Sequence, residues 1–226
     1  MVMNEPMVFL FFGIPGSGKG TQADLLAKKF GVEHFTTSKA LKEYMASHDD
    51  SETREQKEVY KKGVLNDPSW VLRVVEEKTS EIHDQGRGLV YDGSPRTLYE
   101  AENLLPFLVN LFGKENIKAI RLAVSTDEIK RRLERRVVCD KNTAHSYTTN
   151  GGFRIGEVCP AGDGGILQRR DLDNPKIIET RLDEFNKRTE PAIEFFEKNH
   201  GVIKINGEQS VEDVHRDVIK ALEPKK

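Results

Sequence analysis

The segment Gly13-Ile14-Pro15-Gly16-Ser17-Gly18-Lys19-Gly20-Thr21 follows an apolar run directly and precedes a helical pattern, with the composition needed to hold phosphate. Its glycines let the backbone curl so that successive N–H groups point inward, and the helix N-terminus that follows adds partial positive charge. Lys19 then reaches the outer phosphates. The spacing Gly13-x4-Gly18-Lys19 fits such a loop, although its strict form has Ser or Thr right after the lysine and here Gly20 precedes Thr21. A plain glycine turn is the alternative, and the order strand, loop, helix speaks against it.

Further along, Arg131 and Arg135 stand four apart in a helical pattern and share one face. Their neighbours Arg132 and Arg136 read more simply as a solvated face of that helix. Asp92 closes another apolar run, placed where the partner strand of the phosphate loop is expected. Capping the turn before Gly93 is the plainer role for it.

The elements that must position these groups are legible as five apolar runs: Val8 to Phe12, Val32 to Phe35, Leu89 to Tyr91, Ile117 to Val124 and Val202 to Ile205. Several are not evenly alternating, which suits strands buried on both faces of a parallel sheet. Helical patterns separate them. Lys19 to Lys29 ends at Gly31, a left-handed cap, and Asp67-Pro68 sets a capping carboxylate before a proline suited to the first helical position. Ser125-x-x-Glu128 reads as a capping box, followed by the stripe Ile129, Leu133, Val137. Asn174-Pro175 opens one long helical pattern toward Asn199. The fold class expected is α/β, a doubly wound parallel sheet.

Composition bounds the rest. The 226 residues suffice for one core with insertions, and 35 Lys+Arg against 37 Asp+Glu give a net charge of -2, far from that of a polybasic nucleic-acid binder. No segment approaches the length of a membrane span, and Asn4, Glu5 and Pro6 interrupt the N-terminal apolar stretch, so no secretory signal is expected. The 2 cysteines make no disulfide framework. A monomer in the cytoplasm, without nucleic-acid or membrane partners, is expected. Residues 136–169, rich in Gly, Thr and Asn and lacking a core pattern, read as a lid or binding loop.

The stretch from Gly13 to Gln22 resembles the nucleotide loop of adenylate kinases and their nucleoside monophosphate kinase relatives. Asp92-Gly93-Ser94-Pro95-Arg96-Thr97 is similar to the family's Asp-Gly-Phe-Pro-Arg-Thr segment, and Thr189-Glu190-Pro191 and Ile205-Asn206-Gly207 resemble its late segments. Arg131, Arg135, Arg170 and Arg181 fall at its arginine positions. The resemblance implies a P-loop core (residues 1–37, 67–135 and 170–226), a helical nucleoside monophosphate-binding insertion (38–66) and a small lid (136–169) on a five-stranded parallel sheet. It implies phosphoryl transfer from ATP to a nucleoside monophosphate, AMP favoured, with Mg²⁺ as cofactor.

By that resemblance Gly16, Ser17, Gly18, Lys19, Gly20, Thr21, Arg131 and Arg135 bind ATP. Thr37, Lys42, Val64, Leu65, Gly93, Arg96, Glu100, Arg170 and Arg181 bind the acceptor. Lys19, Arg96, Arg135, Arg170 and Arg181 surround the transferring group, where positioning and positive charge matter more than covalent chemistry. Thr21 and Asp92 hold Mg²⁺ indirectly, since that ion keeps several waters.

Five departures from the family bear on substrate, cofactor and lid. Lys42 replaces an arginine and loses the bidentate fork. Ser94 replaces an aromatic residue, which removes packing rather than chemistry. Glu100 replaces a glutamine that both donates to and accepts from adenine; an ionised carboxylate only accepts and suits guanine better, unless Asn103 reads the base instead. In the lid, Cys139, His145, Cys159 and Asp163 could make four tetrahedral ligands, but the spacing departs from the family's Cys-x2-Cys pairs, so reduced thiols or one disulfide are expected rather than zinc. Leu172 likewise takes the first place of an aspartate pair, leaving Asp171 and Asp173.

Other readings remain. The acceptor is GMP, UMP or CMP, or the chain is a non-catalytic nucleotide-binding switch; the number of arginines weighs against the last. A GTPase is disfavoured because Asn186-Lys187 continues with Arg188-Thr189 rather than the base-reading Asn-Lys-x-Asp.

Overall fold

Strand β1 (Val8–Phe12) has every side chain buried, and its residues divide by parity between two cores. Val8, Leu10 and Phe12 join one cluster while Phe9 and Phe11 join the other. That is why the run is continuously apolar: a strand covered on both faces has no solvent side to leave polar. Each of these large side chains, fully withdrawn from water, contributes about 1.5–3 kcal/mol. The computed structural model describes residues 6–62, 64–142 and 145–223; Asn4 and Glu5 therefore lie outside the described residues, as do Gly63 in the 38–66 segment and Thr143 and Ala144 in the 136–169 segment.

Around β1 run β2 (Glu33–Thr36), β3 (Leu89–Asp92), β4 (Ile117–Ala123) and β8 (Ile203–Asn206), in the order β2-β3-β1-β4-β8, all parallel. Helices α1 (Lys19–Phe30) and α9 (Val211–Leu222) cover one face through Ala23, Leu26, Val214 and Val218. The opposite face is covered by α4 (Pro68–Asp84), α5 (Leu98–Phe112) and α8 (Glu190–Asn199). This is the doubly wound parallel sheet expected. Register sets the site: Asp92 at the end of β3 lies beside Phe11 of β1 on one side and Thr36 of β2 on the other. The carboxylate thus emerges next to the loop that leaves β1.

Local chemistry sets the helix ends. Asp67 accepts from the N–H groups of Ser69 and Trp70 with Pro68 in the first turn, and Gly31, at φ 68°, closes α1 by donating to Ala27 O. Ser125 caps α6 (Thr126–Arg135) by accepting from Glu128 N–H, yet its own N–H goes to Glu208 Oε1 at 2.7 Å. The expected capping box is therefore only half formed: Glu128 turns its carboxylate to Arg131 and Arg132 instead. Ile129, Leu133 and Val137 are all buried, but α6 ends at Arg135 and Val137 belongs to a strand. The long helix expected from Asn174 is likewise broken into α7 (Pro175–Glu184), a π turn (Phe185–Thr189) and α8.

Helices α2 (Thr37–Ser47) and α3 (Ser51–Lys61) leave the sheet edge between β2 and α4. Between α6 and α7, β5 (Arg136–Cys139), β6 (Ser146–Thr148) and β7 (Leu167–Gln168) form an antiparallel sheet in the order β6-β5-β7. It has its own small core of Val137, Cys139, Cys159 and Leu167, flanked by Tyr147 and Phe153.

Candidate active site

The loop between β1 and α1 opens onto a cleft of about 660 Å³ at the C-terminal ends of the strands. Lys19 folds back over its own loop, donating to Gly13 O at 2.6 Å and Ile14 O at 3.0 Å. Burial pushes its ammonium down to about 7, Asp92 pulls the other way, and Arg96, Arg181 and Arg136 push it further down. The ammonium thus stands in a field of guanidinium groups that the Asp92 carboxylate opposes.

Those guanidinium groups come from separate elements. Arg96 has its backbone pinned on both sides: its N–H donates to Glu100 Oε2 at 3.0 Å and its carbonyl accepts from the Thr189 hydroxyl at 2.9 Å. Arg181 on α7 donates to Leu172 O, and burial, followed by Arg170, Arg96 and Arg136, lowers it to about 9. Arg170 is lowered by burial and by Arg136. Arg136 forks onto Asp173, with Nε 2.7 Å from Oδ2 and a second, shorter contact to Oδ1. The Asp173 side chain is only 3% exposed, so its carboxylate is a buried counter-charge to Arg136 and also raises Arg170 and Arg181. Asp171, by contrast, is exposed.

The cleft is lined by most of the residues expected to act: Gly16, Gly18, Lys19, Gly20, Thr21, Thr37, Lys42, Val64, Leu65, Asp92, Gly93, Arg96, Glu100, Arg170 and Arg181. Ser17 is buried within the loop, its Oγ without a hydrogen-bond partner among the described residues. Arg131 and Arg135 are not brought there. Both are exposed on α6, Arg131 paired with Glu128 at 3.0 Å. Arg136, read as solvated, lines the cleft, and Arg132 donates to Gly207 O at 2.7 Å, tying α6 to the loop after β8. The reason is the change of period: α6 stops at Arg135, and in the strand that follows Arg136 and Val137 take opposite faces. The strand-like run Val137, Val138, Cys139 was the available signal.

Two substitutions look different in three dimensions. Ser94 is buried and accepts the Thr37 hydroxyl at 3.0 Å, so replacing an aromatic residue here changes chemistry as well as packing. Glu100 turns inward at the start of α5: Oε1 accepts from the Thr97 hydroxyl at 2.9 Å, Oε2 accepts from Arg96 N–H, and Glu100 N–H donates to Thr97 Oγ1. Burial raises its carboxyl against those bonds and the fields of Arg96 and Arg188. Asn103, the alternative base reader, is exposed and donates to Tyr99 O. Lys42 holds its ammonium 5.9 Å from the centroid of the Tyr60 ring.

In the small sheet, the ligating atoms of Cys139, His145, Cys159 and Asp163 all lie within 4.8 Å of one another. The spacing that argued against a metal is overcome by two turns. One is marked by its closing bond alone, Cys139 N–H to His145 O at 3.0 Å, which sets His145 beside Cys139; the other, closed by Cys159 N–H to Gly165 O at 2.8 Å and the Val158–Ile166 bridge, returns Asp163 to Cys159. Both cysteines are free thiols. Asp163 is held down at about 2, first by the Gly165 N–H and then by the Cys139 thiol, and it lies 2.8 Å from His145 Nδ1.

Comparison with known proteins agrees with this geometry. A family model described as adenylate kinase matches residues 11–201. An adenylate kinase of Acetivibrio thermocellus is 31% identical over 216 residues, covering 96% of this chain and 98% of the relative. Adenylate kinases of Staphylococcus epidermidis and Staphylococcus aureus are each 32% identical, covering 96% of this chain and 99% of theirs. Among the described residues no helix is long and apolar enough to cross a membrane.

Proposed function

Since this chain belongs to the adenylate kinase family of nucleoside monophosphate kinases, we propose that it moves the terminal phosphoryl group of ATP reversibly to AMP, acting as a monomer. The observation that carries this reading is the convergence of Arg96, Arg136 and Arg181 on Lys19, with Arg170 beside Arg136 and Arg181 and with Asp92 and Asp173 as the opposing charges. Two nucleotides meeting end to end bring their phosphates into one space, and transfer between them needs charge stabilisation and alignment rather than a protein nucleophile.

In this reading the loop amides from Gly16 to Thr21 and Lys19 hold the donor's phosphates, and Lys19 leaves Gly13 O and Ile14 O to do so. Arg136 takes the part expected of Arg135, while Arg170 and Arg181 span donor and acceptor and Arg96 holds the acceptor's phosphate. Lys42, steadied on Tyr60, adds a point charge without a fork. Residues 38–66 serve as the acceptor-binding unit and 136–169 as the lid, whose closure excludes water as a competing acceptor.

The oxygen donors at the loop fit Mg²⁺. Asp92 leans over Gly20 beside Thr21, an all-oxygen set suited to an ion that retains waters. When bound, the ion neutralises phosphate charge; Asp92 and Thr21 orient its water shell. The lid cluster fits zinc, two thiols, an imidazole and a carboxylate being a tetrahedral donor set. It would fasten the two turns of the lid. Metal analysis of purified protein tests this: one zinc per chain supports it, and absence of metal from protein prepared without chelator removes it.

AMP is supported by the relatives' descriptions as adenylate kinases. A second reading, GMP, is favoured by Glu100, whose oxygens offer only acceptors while ionised and suit the N1 and N2 donors of guanine. Steady-state rates with AMP, GMP, CMP and UMP, with ATP and Mg²⁺, decide between them. A GMP rate far above that for AMP would replace the proposed acceptor. No turnover with any monophosphate would leave a nucleotide-binding module.

A further inference from the structure

We infer that Glu184 and Arg188 form a clamp on the backbone of Leu65, making them positioning residues for acceptor binding. This rests on the reading, proposed above, that Leu65 borders the acceptor. Glu184 Oε2 accepts the Leu65 N–H at 3.4 Å, and Arg188 Nη1 donates to the Leu65 carbonyl at 3.4 Å. The two side chains also pair with each other at 3.2 Å. One residue is therefore gripped at both of its backbone polar groups, which lie on the two peptide units flanking its Cα, by a charged pair brought from more than a hundred residues away in the chain.

The π turn explains how the pair is presented. Glu184 ends α7 and Arg188 lies within Phe185–Thr189, where Glu190 N–H closes on Phe185 O in the wide i to i+5 pattern. Phe185 packs into the core, and the next residue after Arg188, Thr189, holds the carbonyl of Arg96. A π turn interrupts the regular hydrogen-bond ladder and tends to mark functional positions. Here one turn ties together the segment at Leu65, the backbone of Arg96 and, through the field of Arg188, the carboxyl of Glu100.

The test separates the clamp from a simple ion pair on a helix. Arg188→Met and Glu184→Gln are expected to raise the acceptor KM about five-fold, with kcat and the KM for ATP within about two-fold of wild type. The double exchange Glu184→Arg with Arg188→Glu restores an i, i+4 pair but sets a donor against the Leu65 N–H. It is expected to recover the melting temperature without recovering the acceptor KM. Recovery of both would reduce the pair to helix support and overturn the inference. Amide exchange at Leu65, followed by NMR without substrate, gives a second readout: faster exchange in Glu184→Gln supports the clamp, and an unchanged rate overturns it. Should wild type turn over no monophosphate, the proposed function fails while the exchange measurement still judges the clamp.

Discussion

The carboxylate of Asp92 lies over the backbone of Gly20, so close that a Cβ at that position would stand 2.9 Å from Oδ2. This accounts for the glycine that separates Lys19 from Thr21, where a hydroxyl residue is usual. A side chain at position 20 must push the carboxylate off the loop, and the obstacle is a group with a task rather than the free end of a long chain. Gly20→Ser is expected to lower kcat by about ten-fold or more and to raise the Mg²⁺ concentration needed for half-maximal rate, since the positioning of the ion's water shell is what suffers. Magnesium titrations of the variant at saturating nucleotide check this; an unchanged magnesium dependence would mean that Asp92 does not act through the ion.

Arg135 and Arg136 are adjacent, yet the change from helix to strand sends one to solvent and the other onto Asp173. Arg135→Ala is expected to leave kcat within about two-fold of wild type, as an exposed substitution should. Arg136→Lys keeps a charge for Asp173 but loses the fork, and a fall in kcat of about 100-fold is expected, the scale of one preorganised donor removed from a transition state. Comparable losses in both variants, measured under saturating substrates with melting temperatures recorded alongside, would return the assignment to Arg135.

The divergence of these two neighbours shows where sequence reading reaches its limit. The sheet was legible because its strands are buried on both faces and spell unbroken apolar runs, as in Val8–Phe12, and the helix starts at Asp67 and Asn174 because a side chain at the cap does the work locally. What was not legible depends on contacts between distant segments. The strands of the small sheet have 2 to 4 residues, too few for a period, and its four donors meet only after two turns close. The π turn hides inside a continuous helical pattern. Ser94 reads as lost packing until Thr37, 57 residues away in the chain, is found beside it.

Lys19 couples nucleotide binding to protons. Its pKa of about 7 in the free cleft, set by burial and nearby guanidinium groups, rises when phosphate oxygens approach, because they favour the ammonium. The complex then holds more protons than the free protein near and above pH 7, so ATP binding takes up a proton and the apparent affinity falls as pH rises through that range. Calorimetry in buffers of different ionisation enthalpy reads the uptake directly. The same depression has a stability consequence of fixed sign. An unfolded lysine titrates near 10.5, so between about 7 and 10.5 the unfolded chain binds more protons, and this group makes the ligand-free protein more stable as pH increases across that window. Lys19→Met should abolish the uptake; uptake of undiminished size in that variant would move the coupling to another group.

Glu100 carries the opposite sign. Burial raises its carboxyl above the ordinary value, so the folded state binds more protons than the unfolded one once pH exceeds the usual carboxylate range, and stability is lost as pH rises through the raised pKa. Glu100→Gln removes that cost while keeping an oxygen to accept from Arg96 N–H. The variant is therefore expected to melt higher than wild type at pH 8 and to differ little at pH 4.5. The amide also restores a donor to the corner of the cleft where the proposed base lies, so the ratio of AMP to GMP activity should rise by about ten-fold, the scale of one hydrogen-bonding match exchanged for a mismatch. Melting curves at the two pH values and paired acceptor assays give independent readings. If the ratio stays constant while the melting temperature moves, Glu100 is a buried cap of α5 and the base is read elsewhere.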